Sequence, residues 1–167
     1  MFREISPYDL SLRPFHAIDR QWMLITAKKP DGTVNPMTAS WGGLGILWSM
    51  PVATCYIRPQ RYTQELMQAQ EYHSLCFLGE EHRDALKLCG VVSGRDRDKV
   101  AETGLTVVDD LEAPYFAQSE LVLVCRKLYC QQLTPDCFID RSVDEKNYNG
   151  DHHHMYISQI VHCLVKE

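Results

Sequence analysis

One segment, residues 35–63, decides how the rest of the chain is read: NPMTASWGGLGILWSMPVATCYIRPQRYT. It begins with a run of small residues, 37–43, and ends with Arg58 and Arg61 just before a helical pattern. Hydroxyls and exposed amides at one end, with guanidinium groups and a helix start at the other, suit a flat ring that carries a phosphate tail. We therefore predict that both ends of this segment contribute to one binding site.

Size and composition predict one domain. The chain has 167 residues, of which 1–20 are expected to form an N-terminal arm, and its formal net charge is -5. That charge disfavours a nucleic-acid surface, which normally shows a basic face. The longest apolar run, near residues 42–48, is too short to span a bilayer, and the N-terminus lacks a signal-peptide pattern. We expect a cytoplasmic protein with no nucleic-acid or membrane partner.

The cysteines predict neither a disulfide framework nor a metal site. There are 7 of them, an odd number, and no CxxC pair occurs. Several lie inside apolar strand-like runs, so buried free thiols are the favoured interpretation. A redox thiol is the alternative, with Cys89 beside Gly90 the best placed for exposure.

Strand patterns dominate the chain, with a few short helices between them. An Asp31-Gly32 pair predicts a tight hairpin, and the continuously apolar start of LVLVCRKLYCQQL predicts a strand buried on both faces. No long alternation of strand and helix occurs, so the predicted fold is mainly β with inserted short helices, a mostly antiparallel barrel. The predicted strands are 22–27, a return strand from 33, 52–57, 74–78, 105–108, 121–133 and 155–165; the predicted helices are 63–72, 80–88 and 96–102.

Helix ends are predicted from capping residues. Thr63 is the expected N-cap of the first helix, and Gly90 is expected just past the end of the second. Ser93 and Asp96 resemble a capping box for the third helix, which Gly104 would end.

Each half of the central segment also has an ordinary structural interpretation. Arg58 and Arg61 could be solvated residues before an ordinary helix, and the phosphate interpretation is about equally favoured. In the small-residue run, Thr38 and Ser40 could bond ring heteroatoms. Taken alone, however, a glycine-containing bend with its two tryptophans in the core is favoured there.

Other polar clusters give weaker signals. His152 and His154 share a face of an extended segment, so they could bind a metal ion together. The favoured interpretation is a polar start to the last strand, and a metal site is the least favoured. A histidine beside a bound cofactor ranks between these two. The charged run 95–99 is typical of a solvated face, although Lys99 could reach an anionic ligand. No nucleophile elbow, P-loop or GxGxxG is present, so no catalytic side chain and no metal ligand is predicted.

Four motifs in order, NPMTASW, WSMPV, IRPQRYT and SGRDRDK, resemble those of the flavin reductase-like family. The resemblance covers the chain from about residue 22 to the last strand and is strongest to small flavoredoxin-like members. It implies the FMN-binding split-barrel fold, as a single domain over residues 1–167. It also implies FMN as the cofactor.

The resemblance implies which residues contact the cofactor, and it also reveals one difference from the family. The final strand departs from the family pattern: relatives usually carry a glycine and an acidic residue where this chain has Ser158 and Gln159. Residues 152–154 fall where relatives often place a histidine. The implied contacts are Met37, Thr38, Ala39, Ser40 and Trp41 for the isoalloxazine and ribityl parts, Arg58, Arg61, Tyr62 and Thr63 for the phosphate, and Ser93 and Lys99 near the flavin.

The implied activity is an NAD(P)H-dependent flavin reductase in which hydride from NADH or NADPH reaches flavin N5. A homodimer with flavin at the subunit interface is also implied. Two alternatives stay open: a flavoredoxin-type electron-transfer protein with a redox protein partner, and a non-catalytic FMN-binding module.

Overall fold

A computed structural model describes all residues, 1–167. The longest helix has 9 residues, and none is long and apolar enough to cross a bilayer. The strands are β1 (Phe2–Glu4), β2 (Met23–Lys28), β3 (Val34–Ala39), β4 (Gly42–Leu47), β5 (Met50–Ile57), β6 (Tyr72–Leu78), β7 (Val107–Val108), β8 (Tyr115–Phe116), β9 (Ser119–Gln132) and β10 (His154–Lys166). The helices are α1 (Pro14–His16), continued by a π turn (Ala17–Gln21), α2 (Tyr62–Ala69), α3 (Arg83–Val91), α4 (Lys99–Thr103) and α5 (Arg141–Asn147). Single 3-10 turns cover Pro7–Asp9, Glu80–His82 and Pro135–Cys137.

Eight of the strands form one antiparallel sheet in the order β3-β2-β6-β9-β10-β5-β4, with β1 added to β10. Strands β9 and β10 are the longest and pair along most of their length. The remaining two, β7 and β8, form a small separate ladder. The fold is therefore mainly antiparallel β with short helices, as the sequence predicts.

The two edges of this sheet, β3 and β4, are consecutive in the chain. Only Ser40 and Trp41 separate them. Such a link spans at most roughly 11 Å between the flanking Cα atoms, so the sheet must curl until its edges meet. The edges are not hydrogen-bonded to each other, which leaves a seam in the resulting barrel.

Apolar side chains fill both faces of the curled sheet. On β6, Leu75 and Phe77 point to one core while Cys76 and Leu78 point to the other. Strand β9 alternates in the same way, which explains its continuously apolar first half. The prediction of a strand buried on both faces is confirmed.

The N-terminal arm is more ordered than the sequence indicates. Its first residues form β1, which pairs with the end of β10 through Phe2–Lys166 and Glu4–Leu164. Farther along, Leu10 and Leu12 pack against the core, and Ile18 is buried in it. The arm therefore belongs to the barrel wall and is not a loose cover.

The predicted start of the first helix and the predicted end of the second are wrong. Helix α2 begins at Tyr62 with Arg61 as its N-cap, because the Thr63 hydroxyl instead accepts a hydrogen bond from Asn35. Helix α3 continues through Gly90 to Val91. Both ends depend on contacts outside the local sequence.

The third helix starts later than predicted. Asp98 caps it, accepting hydrogen bonds from the amides of Val100 and Ala101, so the capping box predicted at Ser93 and Asp96 is wrong. The predicted end is confirmed, because Gly104 has a left-handed conformation with φ of 67° and its amide closes the last turn. Gly32 likewise has φ of 85° in the predicted β2–β3 hairpin.

The two tryptophans of the central segment are not core residues. Trp41 lies on the seam and Trp48 at the tip of the β4–β5 hairpin, with 44% and 52% of their surface exposed. Trp48 and Ser49 both have positive φ, a turn that ordinarily takes Asn or Gly. The sequence therefore gives no signal for this tip, and the prediction of buried tryptophans is wrong.

All seven cysteines are free thiols. Five are buried, as the sequence predicts, and Cys130 and Cys137 are exposed. Cys89, the expected exposed thiol, is a fully buried residue of α3, and burial raises its pKa to about 11. The prediction that Cys89 is the best-placed redox thiol is therefore wrong.

Candidate functional site

The predicted site residues lie along one cleft at the barrel seam. Two cavities of about 260 Å³ each share Met37, Arg58 and Arg61 in their walls, so they form adjoining parts of the same cleft. The "cationic end" is lined by Met37, Arg58, Gln60, Arg61, Tyr62, Thr63, Val91, Val92, Ser93, Gly94 and Lys99. The "aromatic end" is lined by Met37, Thr38, Ala39, Ser40, Trp41, Tyr56, Arg58, Arg61 and His153.

All eleven residues singled out in the sequence line one part of this cleft or the other. The segment 58–63 follows β5 and the segment 37–41 ends β3, and these strands lie on opposite sides of the seam. Curling of the sheet therefore brings together two motifs that β4 and β5 separate in sequence.

Positive charge without a carboxylate partner distinguishes the cationic end. Lys99 is only 4% exposed, and its one hydrogen bond is a long donation of 3.5 Å to the Cys89 carbonyl. Burial, together with the positive charges of Arg61 and Lys29, lowers the pKa of Lys99 to about 8. Neither cation makes an ion pair, so their charges remain available to an anion.

The start of α2 adds donors at the same end. Arg61 is the N-cap, but no side chain accepts from the amides of the first turn. The Gln64 backbone amide donates to the Arg61 carbonyl. The amides of Tyr62 and Thr63 are therefore the free donors at the positive end of the helix dipole. The Thr63 hydroxyl accepts from Asn35 Nδ2 at 2.9 Å, which leaves its own hydrogen free to donate.

A glycine allows the opposite wall of the cationic end to approach closely. A Cβ at Gly94 would stand 1.8 Å from Asn35 Oδ1, so no larger residue fits without moving Asn35. That same Oδ1 is buried and has no hydrogen-bond partner. Beside it, the Ser93 hydroxyl accepts from the Arg95 amide and keeps a hydrogen to donate.

Arg58 is committed to a neighbouring loop. One terminal nitrogen binds the Asp151 carboxylate and the other donates to the Asn147 carbonyl at 2.9 Å. Gln60 donates to the same carboxylate at 3.0 Å, and Arg58 also lies 5.3 Å from the centre of the Tyr148 ring. Arg58 therefore anchors the 147–151 loop beside the cleft, with its charge largely balanced.

Two rings form the wall of the aromatic end. The centroids of Trp41 and His153 lie 4.8 Å apart with their planes tilted by 43°. The Tyr148 hydroxyl lies 3.0 Å from His153 Nδ1. Burial, with the positive charge of Arg58, lowers the pKa of His153 to about 4, so its ring is neutral near pH 7.

The two hydroxyls of this end differ in availability. Thr38 donates to the Leu86 carbonyl at 2.5 Å, which ties β3 to α3. Ser40 makes no side-chain hydrogen bond within the protein. Of the two, only Ser40 can donate freely to a ligand.

His152 has a structural role. Its Nε2 lies 2.6 Å from Asp144, and its ring stacks on Tyr148 at 4.5 Å with a 19° tilt. No group of three or more His, Cys, Asp or Glu side chains is arranged to hold a metal ion. His152 thus fixes the loop that carries His153.

Several residues that line the cleft are not singled out by sequence reasoning. Gln60 and Gly94 lie inside the quoted motifs, so those motifs are the available signal. Tyr56, near the end of β5, precedes Arg58 by two residues and lines the same cavity. Val91 and Val92 lie at the end of α3, which extends past Gly90, and nothing local indicates them.

The cleft is suited to an elongated ligand. One end offers two unpaired cations, hydroxyls and helix amides, which match a phosphate in charge and geometry. The other offers a half-exposed indole, a neutral imidazole and a free hydroxyl, which match a flat heteroaromatic ring. No pair of carboxylates or activated nucleophile lines either end, so the cleft itself supplies no strong acid, base or nucleophile.

Comparison with known families now identifies the class of protein. The model of the flavin reductase-like domain matches residues 15–167, almost the whole chain. The chain belongs to this family. Among curated proteins, none matches the sequence significantly.

Solved structures support the same fold at low sequence identity. Flavoredoxin from Methanosarcina acetivorans has a TM-score of 0.72 at 18% identity over 98% of this chain and 74% of its own. Flavoredoxin of Desulfovibrio vulgaris has 0.70 at 18% over 98% and 78%. The flavin reductase of the styrene monooxygenase of Pseudomonas putida has 0.67 at 15% over 88% and 80%. The fold is thus that of flavin reductase-like split barrels.

Proposed function

We propose that this protein is an FMN-binding oxidoreductase that acts as an NAD(P)H-dependent flavin reductase. The observation that carries the proposal is the cleft, in which two unpaired cations and a half-exposed tryptophan stand at opposite ends. Membership in the flavin reductase-like family supports it.

The residues present fit FMN. Lys99, Arg61 and the first amides of α2 would hold the phosphate, with the Thr63 and Ser93 hydroxyls as further donors. An anion there would compensate two charges that the protein leaves unpaired. Riboflavin, which lacks the phosphate, would leave both uncompensated.

The aromatic end would hold the isoalloxazine ring. Trp41 and His153 provide apolar surface, and Ser40 provides a free hydroxyl. When bound, the flavin supplies the redox chemistry by accepting hydride from NADH or NADPH at N5. The protein's own task is to bind and orient the ring, which explains why no acid–base pair lines the cleft.

We also propose that the protein forms a homodimer. The edge strand β4 and the hairpin tip that follows it carry exposed apolar side chains, with Ile46 and Trp48 at 62% and 52% exposure. Phe15 of the N-terminal arm is 89% exposed. A second copy covering this edge would bury these side chains and protect unpaired backbone groups. Sedimentation should give a dimer at micromolar concentration, and a monomer there would contradict the proposal.

A cytoplasmic location is part of the proposal. All seven cysteines are free, which is typical of a reducing compartment.

A flavoredoxin-type electron-transfer protein is the second candidate. Two flavoredoxins share the fold at TM-scores of 0.72 and 0.70, and Ser158 and Gln159 replace the glycine and acidic residue expected from the family resemblance. Such a protein would bind FMN but take its electrons from a redox protein. A non-catalytic FMN-binding module would bind FMN without any turnover of its own.

Two measurements in sequence test these proposals. The absorption spectrum after incubation with FMN and removal of excess cofactor should show bound oxidised flavin, and an empty protein would overturn FMN binding. Anaerobic addition of NADH and of NADPH should then bleach that flavin. Bound flavin that neither nicotinamide reduces would reject the reductase and favour the flavoredoxin or the binding module. Reduction by an external protein reductant would favour the flavoredoxin.

A further inference from the structure

A bulge in β9 creates a polar cluster outside the cleft. Along the β9–β10 ladder, Tyr156 pairs with Cys130 and Ser158 pairs with Lys127, with a register shift between Ile157 and Ser158. Without that shift, Lys127 and Cys130, three residues apart on a strand, would point to opposite faces. The shift puts both on the face that carries Tyr156. Lys127 Nζ accordingly lies 5.9 Å from the centre of the Tyr156 ring, and it also donates to the Met67 carbonyl of α2.

Cys130 is the exposed member of this cluster, and its neighbours are buried donors. Tyr156 is 1% exposed, and its hydroxyl has no partner with hydrogen-bond geometry. Burial, together with the adjacent Cys130 thiol, raises the pKa of Tyr156, so the hydroxyl keeps its proton. This hydroxyl is therefore available to donate to a thiolate at Cys130.

Gln64 completes the cluster from α2. It is 4% exposed, and neither its amide nitrogen nor its amide oxygen has a partner within the protein. Its amide lies beside the Tyr156 hydroxyl and affects the pKa of that group. Buried amides without partners are unusual, because each unmade hydrogen bond costs free energy. The amide is thus available to a small polar group added at Cys130.

The other cysteines lack this setting. Burial raises the pKa of Cys55 to about 12 and raises that of Cys125, which makes both thiols inert near neutral pH. Cys137 is exposed in a 3-10 turn. It provides a reference thiol within the same chain.

We propose that Cys130 is a nucleophilic thiol that reacts with hydrogen peroxide, with Tyr156 and Lys127 as the groups that activate it. The inference uses no residue of the cleft and does not depend on flavin binding. It assigns an oxidative modification site to the end of the barrel beneath α2.

The reaction balances with peroxide as the oxidant. The thiol proton leaves to solvent, and the Tyr156 hydroxyl and the Lys127 ammonium stabilise the thiolate. The sulfur attacks one peroxide oxygen, a sulfur–oxygen bond forms, and the oxygen–oxygen bond breaks. The leaving hydroxide takes a proton from Lys127, which solvent replaces, and becomes water. Cys130 is oxidised by two electrons to the sulfenic acid, and the peroxide is reduced to water. The Gln64 amide can then bind the new hydroxyl.

The test compares two thiols in one molecule. The full chain is treated with hydrogen peroxide and dimedone, which traps sulfenic acids, and the adducts at Cys130 and Cys137 are quantified over time by peptide mass spectrometry. Cys130 should be trapped at least about tenfold faster than Cys137. Tyr156→Phe should slow trapping at Cys130 about fivefold, and Lys127→Gln about threefold. Cys137 should be unchanged in both variants.

Two results would overturn the proposal. One is equal or faster trapping of Cys137 in the natural chain. The other is an unchanged rate at Cys130 in both variants while their circular dichroism and Cys137 rates match those of the natural chain. A change at both thiols in one variant would indicate unfolding, and the other variant then decides.

Discussion

The two ends of the cleft are built in different ways. At the cationic end, Arg61, Thr63 and the amides of α2 come from one short segment, and Lys99 completes the site. At the aromatic end, Trp41 lies in the link between β3 and β4. His153, which is far from Trp41 in sequence, contacts it in the cleft wall and is held in place by Tyr148. Groups that lie in one segment can be placed together from the sequence, whereas the contact between Trp41 and His153 depends on the fold. Mutations at the two ends should therefore have different effects on the affinities for FMN and riboflavin.

The largest expected effect is at the cationic end. Arg61→Ala should weaken FMN binding about 30-fold, because a charge-assisted contact to phosphate contributes about 2 kcal/mol. Riboflavin binding should change less than about twofold, since it has no phosphate. Titration of both flavins by fluorescence quenching measures this. Equal losses for the two ligands would place the phosphate elsewhere.

The next effect separates the aromatic end from the cationic end. Trp41→Ala should weaken FMN and riboflavin alike, about fivefold, because both carry the same ring. Tyr129→Ala is the matched control, as it removes a similarly exposed aromatic ring that lines neither end of the cleft and lies outside the β4 edge. Calorimetric titration should find flavin affinity lost only in the first variant. A loss confined to FMN would remove the distinction between the two ends.

A smaller effect follows from the lowered pKa of Lys99. The side chain is charged below a pH of about 8 and neutral well above it. The ratio of FMN to riboflavin affinity should therefore fall roughly threefold between pH 7 and 9.5. Lys99→Met should lower this ratio at pH 7 and flatten its pH dependence. A natural chain whose ratio rises over this range would contradict the assignment.

The stability of the flavin-free protein should change with pH in the opposite direction to the affinity ratio, and again because of Lys99. Because the folded pKa of Lys99 is below its unfolded value near 10.5, the unfolded chain binds more protons between pH 8 and that value. The contribution of Lys99 to stability therefore increases with pH over this window. Chemical denaturation of the natural chain and of Lys99→Met, without ligand, compares the two slopes.

The smallest effect concerns Arg58, one of the three residues shared by both ends. Asp151→Asn removes the carboxylate that balances Arg58, so the positive charge facing the cleft increases. FMN affinity should rise about twofold relative to riboflavin, since a partly exposed charge is screened. Competitive binding of the two flavins to each variant measures this. A relative loss of FMN would mean that Asp151 positions Arg58 for the phosphate.

The strands and the phosphate motif could be predicted because their signals are local. The buried first half of β9 follows from a continuous apolar run, and the β2–β3 turn follows from Asp31-Gly32. The eleven site residues could be found because their motifs are contiguous. The resemblance to the flavin reductase-like family joins those motifs into one site, although β4 and β5 separate them in sequence.

The features that sequence patterns miss depend on contacts that cross the fold. Thr63 does not cap α2, because Asn35, far away in sequence, occupies its hydroxyl. The partnership of Arg58 with Asp151 joins residues 93 positions apart. The exposed Trp48 tip has no turn signal, since neither of its central residues is the usual glycine or asparagine. Cys89 is buried because the face of α3 that carries it packs against the apolar core.

The two-residue link between β3 and β4 has a mechanical consequence. The barrel has no backbone ladder across its seam, so the cleft lies where the wall is weakest. A ligand that contacts β3, the link and the end of β5 would connect the two sides of the seam through its own contacts. Because ligand binding stabilises the folded state by mass action, backbone amides of β3 and β4 should exchange hydrogen more slowly once the cleft is filled. Cofactor binding would therefore stabilise the part of the barrel wall that no backbone hydrogen bonds hold together.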